Sequence, residues 1–140
     1  MEIGEFKSPL AYMIKGNIPQ HVIEAIEQAW SQETAGIFYK DNPSKGQCAV
    51  TSMLIQDLYG GKLVRGTLGK SSHYWNELPD GTTVDLTRQQ FGDKADELVV
   101  DGYRNRDDVY NGNYGDTGDR YEILKQRFEK FLNRKAVTCH

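Results

Sequence analysis

SHYWNELPDGTTVDL, residues Ser72–Leu86, carries the strongest structural signal in the chain. Two segments rich in Thr, Val, Leu and aromatic residues flank Pro-Asp-Gly at positions 79–81. Segments of this composition favour strands, and proline followed by Asp-Gly suits a type I turn that ends on a left-handed glycine. The pattern predicts a β-hairpin in which Ser72–Leu78 pairs with Thr82–Leu86.

The length of the turn also determines which residues of the hairpin face each other. With three turn residues, Leu78 lies opposite Thr82, and Trp75 then lies opposite Asp85. His73, Trp75 and Asp85 share one face of the sheet, and His73 is the diagonal neighbour of Asp85 at about 7–8 Å between Cα atoms. Because aspartate is disfavoured in strands, Asp85 is expected to serve a purpose beyond fold formation, such as a hydrogen bond to His73.

Other segments of the chain predict three helices and one more strand. Apolar residues recur at helical spacing in Pro19–Ser31, Gln47–Leu58 and Asp119–Lys135. Lys62–Thr67 has the composition of a strand. The region Phe91–Gly118 is charged and rich in Tyr, Gly, Asn and Asp. We interpret this region as a long loop segment with one short strand around Leu98–Val100.

Length and composition indicate a single domain over residues 1–140. A chain of 140 residues with 38% hydrophobic residues is large enough for one core and too small for two. The order helix, helix, strands, helix, without an internal repeat, predicts an α+β fold. We expect the N-terminal helices, one of which carries Cys48, to pack on a small antiparallel sheet that the C-terminal helix closes.

Charge and hydropathy argue against several classes of partner. The formal net charge is -3, and no basic segment alternates with aromatic residues as nucleic-acid grooves usually require, so nucleic acid is not an expected partner. No apolar run approaches the ~20 residues of a membrane span, and the N-terminus lacks the order of a signal peptide. We therefore expect a cytoplasmic protein with no membrane contact.

The cysteines and histidines are too few and too scattered for a disulfide scaffold or a zinc site. Cys48 and Cys139 are too few for a disulfide framework, so Cys48 is expected to be a free thiol. His21, His73 and His140 lack the closely paired spacing of zinc ligands. No metal and no cofactor are predicted.

Cys48 is the candidate nucleophile, because it opens a predicted helix directly after a loop that contains Pro and Gly. Unpaired N–H groups at a helix N-terminus carry partial positive charge, which favours the thiolate form of cysteine. Such a nucleophile also needs a base, and His73 is the candidate. Asp85 would orient the imidazole through its other nitrogen. The sequence therefore predicts a Cys48, His73, Asp85 triad.

An acyl-transfer enzyme also needs hydrogen-bond donors for the oxyanion. The backbone N–H of Cys48 is one donor, and a side-chain amide could come from Gln47, Asn42 or Asn76. The order and spacing resemble papain-like cysteine proteases, which have a side-chain amide donor six residues before the nucleophile. Asn42 holds that offset, although papain-like enzymes use glutamine there, and Gln47 could instead brace the loop.

Three longer phrases resemble the small bacterial YunG-like family. They are WSQETA at 30–35, NPSKGQCAVTSMLIQDLYGG at 42–61 and SHYWNELPDGTTVDLTRQQF at 72–91. The resemblance covers roughly the middle half of the chain and includes neither the N-terminal segment nor the residues after about Asp93. It implies that the cysteine, the histidine and the aspartate belong to one site, and it implies little about the substrate.

Two classes of function are consistent with these residues. The first is a papain/transglutaminase-like cysteine hydrolase or acyltransferase, a class that includes thiol proteases, acting on an amide, isopeptide or thioester bond. Its expected partner is a protein or peptide-like substrate, and the candidate substrate contacts are Trp75, Tyr103, Arg104 and Arg106. The alternative is a non-catalytic protein-binding or inhibitor module on the same fold, in which Cys48 is a small core residue.

Overall fold

The computed structural model of the chain describes residues 14–35, 46–112 and 116–138 and has an α+β fold. Its elements are, in order, α1 (Gln20–Ala29), α2 (Cys48–Tyr59), β1 (Lys62–Leu68), β2 (Ser71–Glu77), β3 (Thr83–Val84), a 3₁₀ helix (Arg88–Glu97), β4 (Val99–Arg104), α3 (Arg106–Tyr110) and α4 (Thr117–Thr138). The three helices expected from apolar spacing are confirmed as α1, α2 and α4. None of the helices in the described residues is long and apolar enough to cross a bilayer.

The four strands form one antiparallel sheet in the order β3-β2-β1-β4. Asn76 pairs with Val84 across the hairpin. In the turn, the Leu78 N–H donates to the Thr82 carbonyl at 2.8 Å, and the Gly81 N–H donates to the Leu78 carbonyl at 2.9 Å. The pairing expected from the Pro-Asp-Gly turn is therefore confirmed.

The expectation of a long loop over Phe91–Gly118 is wrong for most of its described part, which is regular, whereas the short strand expected around Leu98–Val100 is confirmed as β4. The end of a 3₁₀ helix that is kinked at Gly92, strand β4 and helix α3 occupy this region. Strand β4 is an edge strand with three exposed large side chains, Val99, Val100 and Tyr103. Its sequence therefore lacks the alternation of a half-buried strand, from which strands are usually recognised.

Helix α3 begins at residues whose composition suggests a loop. The Asn105 side chain accepts a hydrogen bond from the Asp107 N–H at 2.8 Å and caps the helix. Asp107 and Asp108 occupy the first turn, where negative charge interacts favourably with the helix dipole. Asn and Asp therefore start a helix here instead of forming a turn.

The helices and the sheet enclose one apolar core. Helix α1 packs on α4, and α2 packs on both α4 and β2. The core includes Val22, Ile23 and Ile26 of α1, Val50, Met53 and Leu54 of α2, Leu63 and Val84 of the sheet, and Leu124 and Phe128 of α4. Trp30 Nε1 donates to Thr51 Oγ1 at 2.9 Å. This buried hydrogen bond ties the end of α1 to the start of α2.

Two contacts hold α2 against the hairpin. The buried Asn76 side chain of β2 donates to the Ser52 carbonyl of α2 at 2.8 Å. Gly61 follows the helix with φ of 89°, and a Cβ at this position would collide with the Glu77 carbonyl oxygen. Because only glycine tolerates this approach and this φ, the end of α2 can lie directly on the end of β2. These contacts hold α2 against β2.

Candidate active site

His73 and Asp85 form a buried pair between β2 and the end of β3. His73 Nε2 lies 2.8 Å from Asp85 Oδ2, and the two side chains are 0% and 1% exposed. The backbone of Asp85 is also fixed, because its N–H donates to the Ile14 carbonyl at 2.7 Å and its carbonyl accepts from the Ile14 N–H at 3.1 Å. The diagonal relation expected from the hairpin therefore results in a direct hydrogen bond.

The hydrogen bond to Asp85 determines which nitrogen of His73 can exchange a proton with another group. An ionised carboxylate only accepts hydrogen bonds, so Nε2 carries a hydrogen and donates it to Asp85. Nδ1 remains for partners on the other side of the ring. The Gln90 Nε2 atom lies 3.2 Å from Nδ1, and Cys48 is close enough to raise the pKa of the His73 imidazole through hydrogen bonding and charge. The structure thus brings Cys48, His73 and Asp85 together.

The proton affinity of His73 results from opposing effects. Burial alone would lower the pKa of the imidazole. The hydrogen bond to Asp85, the hydrogen bond to Cys48 and the negative charges of both groups outweigh burial and raise the pKa of His73 from 6.5 to about 9. The imidazole therefore holds its proton at neutral pH.

Cys48 lies at the open end of α2. It is the first residue of the helix, and it is a free, half-buried cysteine. The side chain of the N-cap residue Gln47 makes no hydrogen bond to the first turn, and this turn contains no acidic residue. The partial positive charge of the first N–H groups is therefore not offset by a carboxylate within the turn.

Aromatic rings enclose the imidazole of His73. The Trp75 ring lies 5.6 Å away between centroids, and the Phe91 ring meets the imidazole edge-on at 4.8 Å. Gly66 of β1 pairs with His73, and a Cβ at Gly66 would lie 2.8 Å from the Trp75 ring. Gly66 therefore makes room for the indole. Trp75 is partly exposed beside the imidazole, so a substrate at Cys48 could contact it.

The amides considered as oxyanion donors have other partners in the structure. Gln47 is buried, and its amide accepts from Thr34 Oγ1 at 2.7 Å and donates to the Ser31 carbonyl at 3.1 Å. The Asn76 amide donates to a carbonyl of α2 at 2.8 Å. These contacts fit the bracing role considered for Gln47, and they occupy the Asn76 amide in a structural hydrogen bond. Asn42 lies outside the described residues.

Arg106, considered as a substrate contact, lies far from the candidate nucleophile. Its guanidinium donates to Asp57 Oδ1 at 2.8 Å and to Asp57 Oδ2 at 3.0 Å. It also donates to Gln56 Oε1 at 2.9 Å. Asp57 is nine residues after Cys48 on α2, which corresponds to about 13 Å along the helix axis. The structure therefore does not bring Arg106 to the triad.

Tyr103 and Arg104 lie on strand β4, which β1 separates from β2. Two strand spacings correspond to about 10 Å. The Tyr103 hydroxyl donates to Glu77 Oε1 at 2.7 Å, and Arg104 Nη2 lies 3.9 Å from an oxygen of Asp101. Of the four candidate substrate contacts, Trp75 is the one that touches a triad residue.

Two contacts to the triad have little signal in the sequence. The backbone bridge from Ile14 comes from a segment without a recognisable pattern, and an amide such as Gln90 is common in polar loops. The available signal for Gln90 was its position five residues after Asp85 in TRQQF, close enough to return to the imidazole. Among the described residues, no group of three or more His, Cys, Asp or Glu side chains could hold a metal ion.

Comparison with known proteins places the site within a larger region of similarity. A model of the YunG protein family matches residues 19–133, which include the whole triad and extend beyond Asp93. The YunG protein of Bacillus subtilis (strain 168) is 28% identical over 115 residues, which cover 81% of this chain and 94% of the relative. No solved structure matches the chain. Because the family model matches most of its length, the chain belongs to the YunG protein family.

Proposed function

We propose that the protein is a cysteine hydrolase or acyltransferase that acts on an amide, isopeptide or thioester bond. The observation that carries the proposal is the 2.8 Å bond of the buried His73 imidazole to Asp85, together with the proximity of Cys48, which raises the pKa of the same imidazole. A buried His-Asp pair that serves only the fold has no need of a free thiol at a helix N-terminus. The arrangement supports a papain/transglutaminase-like site, in which a helix supplies the nucleophile and a sheet supplies its base.

The first half of the proposed reaction forms an acyl-enzyme. The Cys48 thiolate attacks the carbonyl carbon of the substrate, a carbon–sulfur bond forms, and the π electron pair moves to oxygen. When this pair returns, the bond to the leaving nitrogen or sulfur breaks. The proton on His73 Nδ1 passes to the leaving group, so an amine or a thiol departs. Asp85 stays ionised and holds the ring in orientation.

The second half releases the acyl group. Water, or the amine or thiol of an acceptor, attacks the thioester carbon and gives its proton to His73 Nδ1. The tetrahedral intermediate collapses, the carbon–sulfur bond breaks, and the Cys48 thiolate returns. Attack by water makes the protein a hydrolase, and attack by an acceptor makes it an acyltransferase. The partly exposed Trp75 ring beside His73 suits a peptide-like substrate, because aromatic rings pack well on peptide groups and side chains.

The pH dependence of alkylation tests the proposal. Cys139→Ser leaves Cys48 as the one thiol of a chain with two cysteines. In this variant, the rate of alkylation by iodoacetamide should rise at a pH well below about 8.5, the ordinary pKa of a thiol, because an imidazolium stabilises the thiolate. p-Nitrophenyl acetate should also give a burst of nitrophenol equal to the amount of protein.

Further substitution of Cys48 by serine provides the control and should remove both signals. A single rise in alkylation near the ordinary thiol midpoint would contradict the proposal. Labelling that occurs only in denaturant would contradict it as well, and would favour the non-catalytic binding module, in which the thiol is a packing residue.

A further inference from the structure

The side chain of Gln90 contacts the His73 imidazole at Nδ1, whereas Asp85 contacts it at the other nitrogen. Its Nε2 atom lies 3.2 Å from His73 Nδ1 and donates to the Thr87 carbonyl at 3.1 Å. Asp85 occupies the opposite nitrogen, Nε2, at 2.8 Å. Because Asp85 occupies Nε2, Nδ1 is the nitrogen left for the Cys48 thiol, which raises the pKa of this imidazole, so the Gln90 amide and the thiol are expected on the same side of the ring.

The contact between Gln90 and His73 depends on the protonation of the ring. A neutral imidazole with hydrogen on Nε2 has a lone pair on Nδ1, which can accept a hydrogen from the Gln90 amide. In the ion pair of imidazolium and thiolate, Nδ1 carries a hydrogen and can no longer accept. The Gln90 amide can then keep its hydrogen bond to the Thr87 carbonyl, but it loses the hydrogen bond to Nδ1.

The space next to Cys48 is where negative charge develops during acyl transfer. The substrate oxygen needs donors close to the attacked carbon, and the backbone N–H of Cys48 is one of them. Gln47 and Asn76, the other described amides considered for this role, are bonded to Ser31, Thr34 and Ser52. The Gln90 amide, in contrast, already lies beside the nitrogen that exchanges a proton with the nucleophile.

We propose that the Gln90 side-chain amide is the second oxyanion donor of the site. In the ion pair, the Gln90 amide hydrogen that no longer bonds to Nδ1 donates to the substrate oxygen. The hydrogen bond to Thr87 keeps the amide in place. Gln90 would then be a catalytic residue, since it touches the reacting oxygen. This inference rests on the proposed acyl-transfer function.

Two reactions of Cys48 separate this role from a role in orienting His73. Iodoacetamide reacts by displacement at a CH2 carbon, so no oxyanion forms and the rate depends on the thiolate alone. p-Nitrophenyl acetate reacts through a tetrahedral oxyanion. Loss of an oxyanion donor should therefore slow acylation and spare alkylation, whereas loss of imidazole orientation should slow both.

The test uses Gln90→Met and Gln90→Glu in the Cys139→Ser protein. Methionine has a similar length without a donor, and glutamate has the same shape but repels an oxyanion. Acylation by p-nitrophenyl acetate should fall by ~10²–10³-fold in both variants, while the iodoacetamide rate changes less than about threefold. Gln126→Met makes the same change at an exposed position of α4 and should leave both rates at the wild-type level.

Three outcomes would overturn the inference. Equal losses of acylation and alkylation would make Gln90 a positioning residue that acts through His73. Unchanged acylation in both variants would remove it from the reaction altogether.

If the Cys139→Ser protein itself forms no acyl-enzyme, the proposed function fails together with this inference. If that protein acylates normally and the Gln90 variants do too, only the inference fails. Should Gln90→Met not fold, the isosteric Gln90→Glu decides between these outcomes.

Discussion

The two ends of helix α2 are built in opposite ways. At the C-terminal end, Asp57 accepts from Arg106 at 2.8 and 3.0 Å and from the Tyr121 hydroxyl. The Arg106 guanidinium also lies 5.1 Å from the centre of the Tyr121 ring. At the N-terminal end, Cys48 is a free, half-buried cysteine, and the N-cap side chain makes no hydrogen bond to the first turn.

The difference separates the part of α2 that stabilises the fold from the part that is available for chemistry. A cation near the C-terminus of a helix complements the negative end of its dipole, and Arg106 does so while joining α2 to the start of α3. The positive end is left without a carboxylate in the first turn, so a thiolate at Cys48 meets no competing anion there. Substitutions at the two ends should therefore have different consequences.

The largest effect is expected for Asp85→Asn, which acts through His73 near the N-terminal end of α2. An amide can donate to Nε2 and so favour the wrong tautomer of His73, which should slow acylation by p-nitrophenyl acetate by ~10³–10⁴-fold while the fold is kept. Asp101→Asn, which weakens an exposed ion pair with Arg65, is the matched control and should acylate normally. Circular dichroism confirms folding, and a wild-type acylation rate for Asp85→Asn would remove Asp85 from the mechanism.

The next largest effect concerns stability against pH. Because the pKa of His73 is about 9 in the folded protein and ordinarily 6.5, the folded state keeps a proton that the unfolded chain releases between these values. This stabilisation is fully present below about pH 6.5 and is lost as the pH rises through about 9, so the contribution of His73 to the free energy of unfolding should fall by about 3 kcal/mol. Urea titrations across this range measure the fall.

Asp85→Asn provides the comparison for the pH titration. It replaces the carboxylate, whose hydrogen bond is the largest of the effects raising the pKa of His73, with a neutral amide. The decrease in the free energy of unfolding should therefore be smaller in the variant than in the wild type. Parallel curves would show that another group is responsible for the pH dependence.

A smaller effect is expected for Gln47→Leu, next to the nucleophile. The leucine removes two hydrogen bonds of the buried Gln47 amide, the 3.1 Å bond to the Ser31 carbonyl and the 2.7 Å bond from Thr34 Oγ1, which together should lower the free energy of unfolding by about 2 kcal/mol. The acylation rate per molecule of folded protein should stay near that of the wild type. A large loss of acylation without a loss of stability would instead make Gln47 an oxyanion donor. The N-cap residue of α2 would then belong to the reactive site.

The smallest effect is expected for Arg106→Met at the closed end. Its ion pair with Asp57 is partly exposed, so the free energy of unfolding should fall by only about 1 kcal/mol. The iodoacetamide rate of Cys48 should not change, because the ion pair lies at the other end of the helix. Arg104→Met, whose guanidinium lies on the sheet edge, is the control for loss of charge. Slower alkylation in Arg106→Met alone would mean that the two ends of α2 are coupled.

Local chemistry explains which parts of this structure the sequence could predict. The Pro-Asp-Gly turn determines the pairing of Asn76 with Val84, and this pairing brings His73 and Asp85 within reach. The spacing of apolar residues likewise reveals α2 and places Cys48 at its start. These signals reside within a few neighbouring residues, so no tertiary information was needed.

The remaining features depend on contacts between distant segments. A short strand was expected around Leu98–Val100, but β4 has exposed side chains and pairs, among the described strands, with β1 alone, so no alternating pattern indicated its extension to Arg104. Gln90 and Ile14 reach the site through the paths of the chain after β3 and before α1, which residue type does not encode. Arg106 resembles a surface cation in the sequence, and only packing shows that it bonds to Asp57.

The bridge between Ile14 and Asp85 also affects how the molecule meets other copies of itself. The N–H and carbonyl of Asp85 that face away from β2 are both paired with Ile14, so a strand from another chain finds no free backbone groups at that position. At the other border of the sheet, a register shift opposite Arg65 and Gly66 interrupts β4, and such irregularity discourages edge-to-edge association. The residue that orients the imidazole therefore also helps to protect the sheet against aggregation.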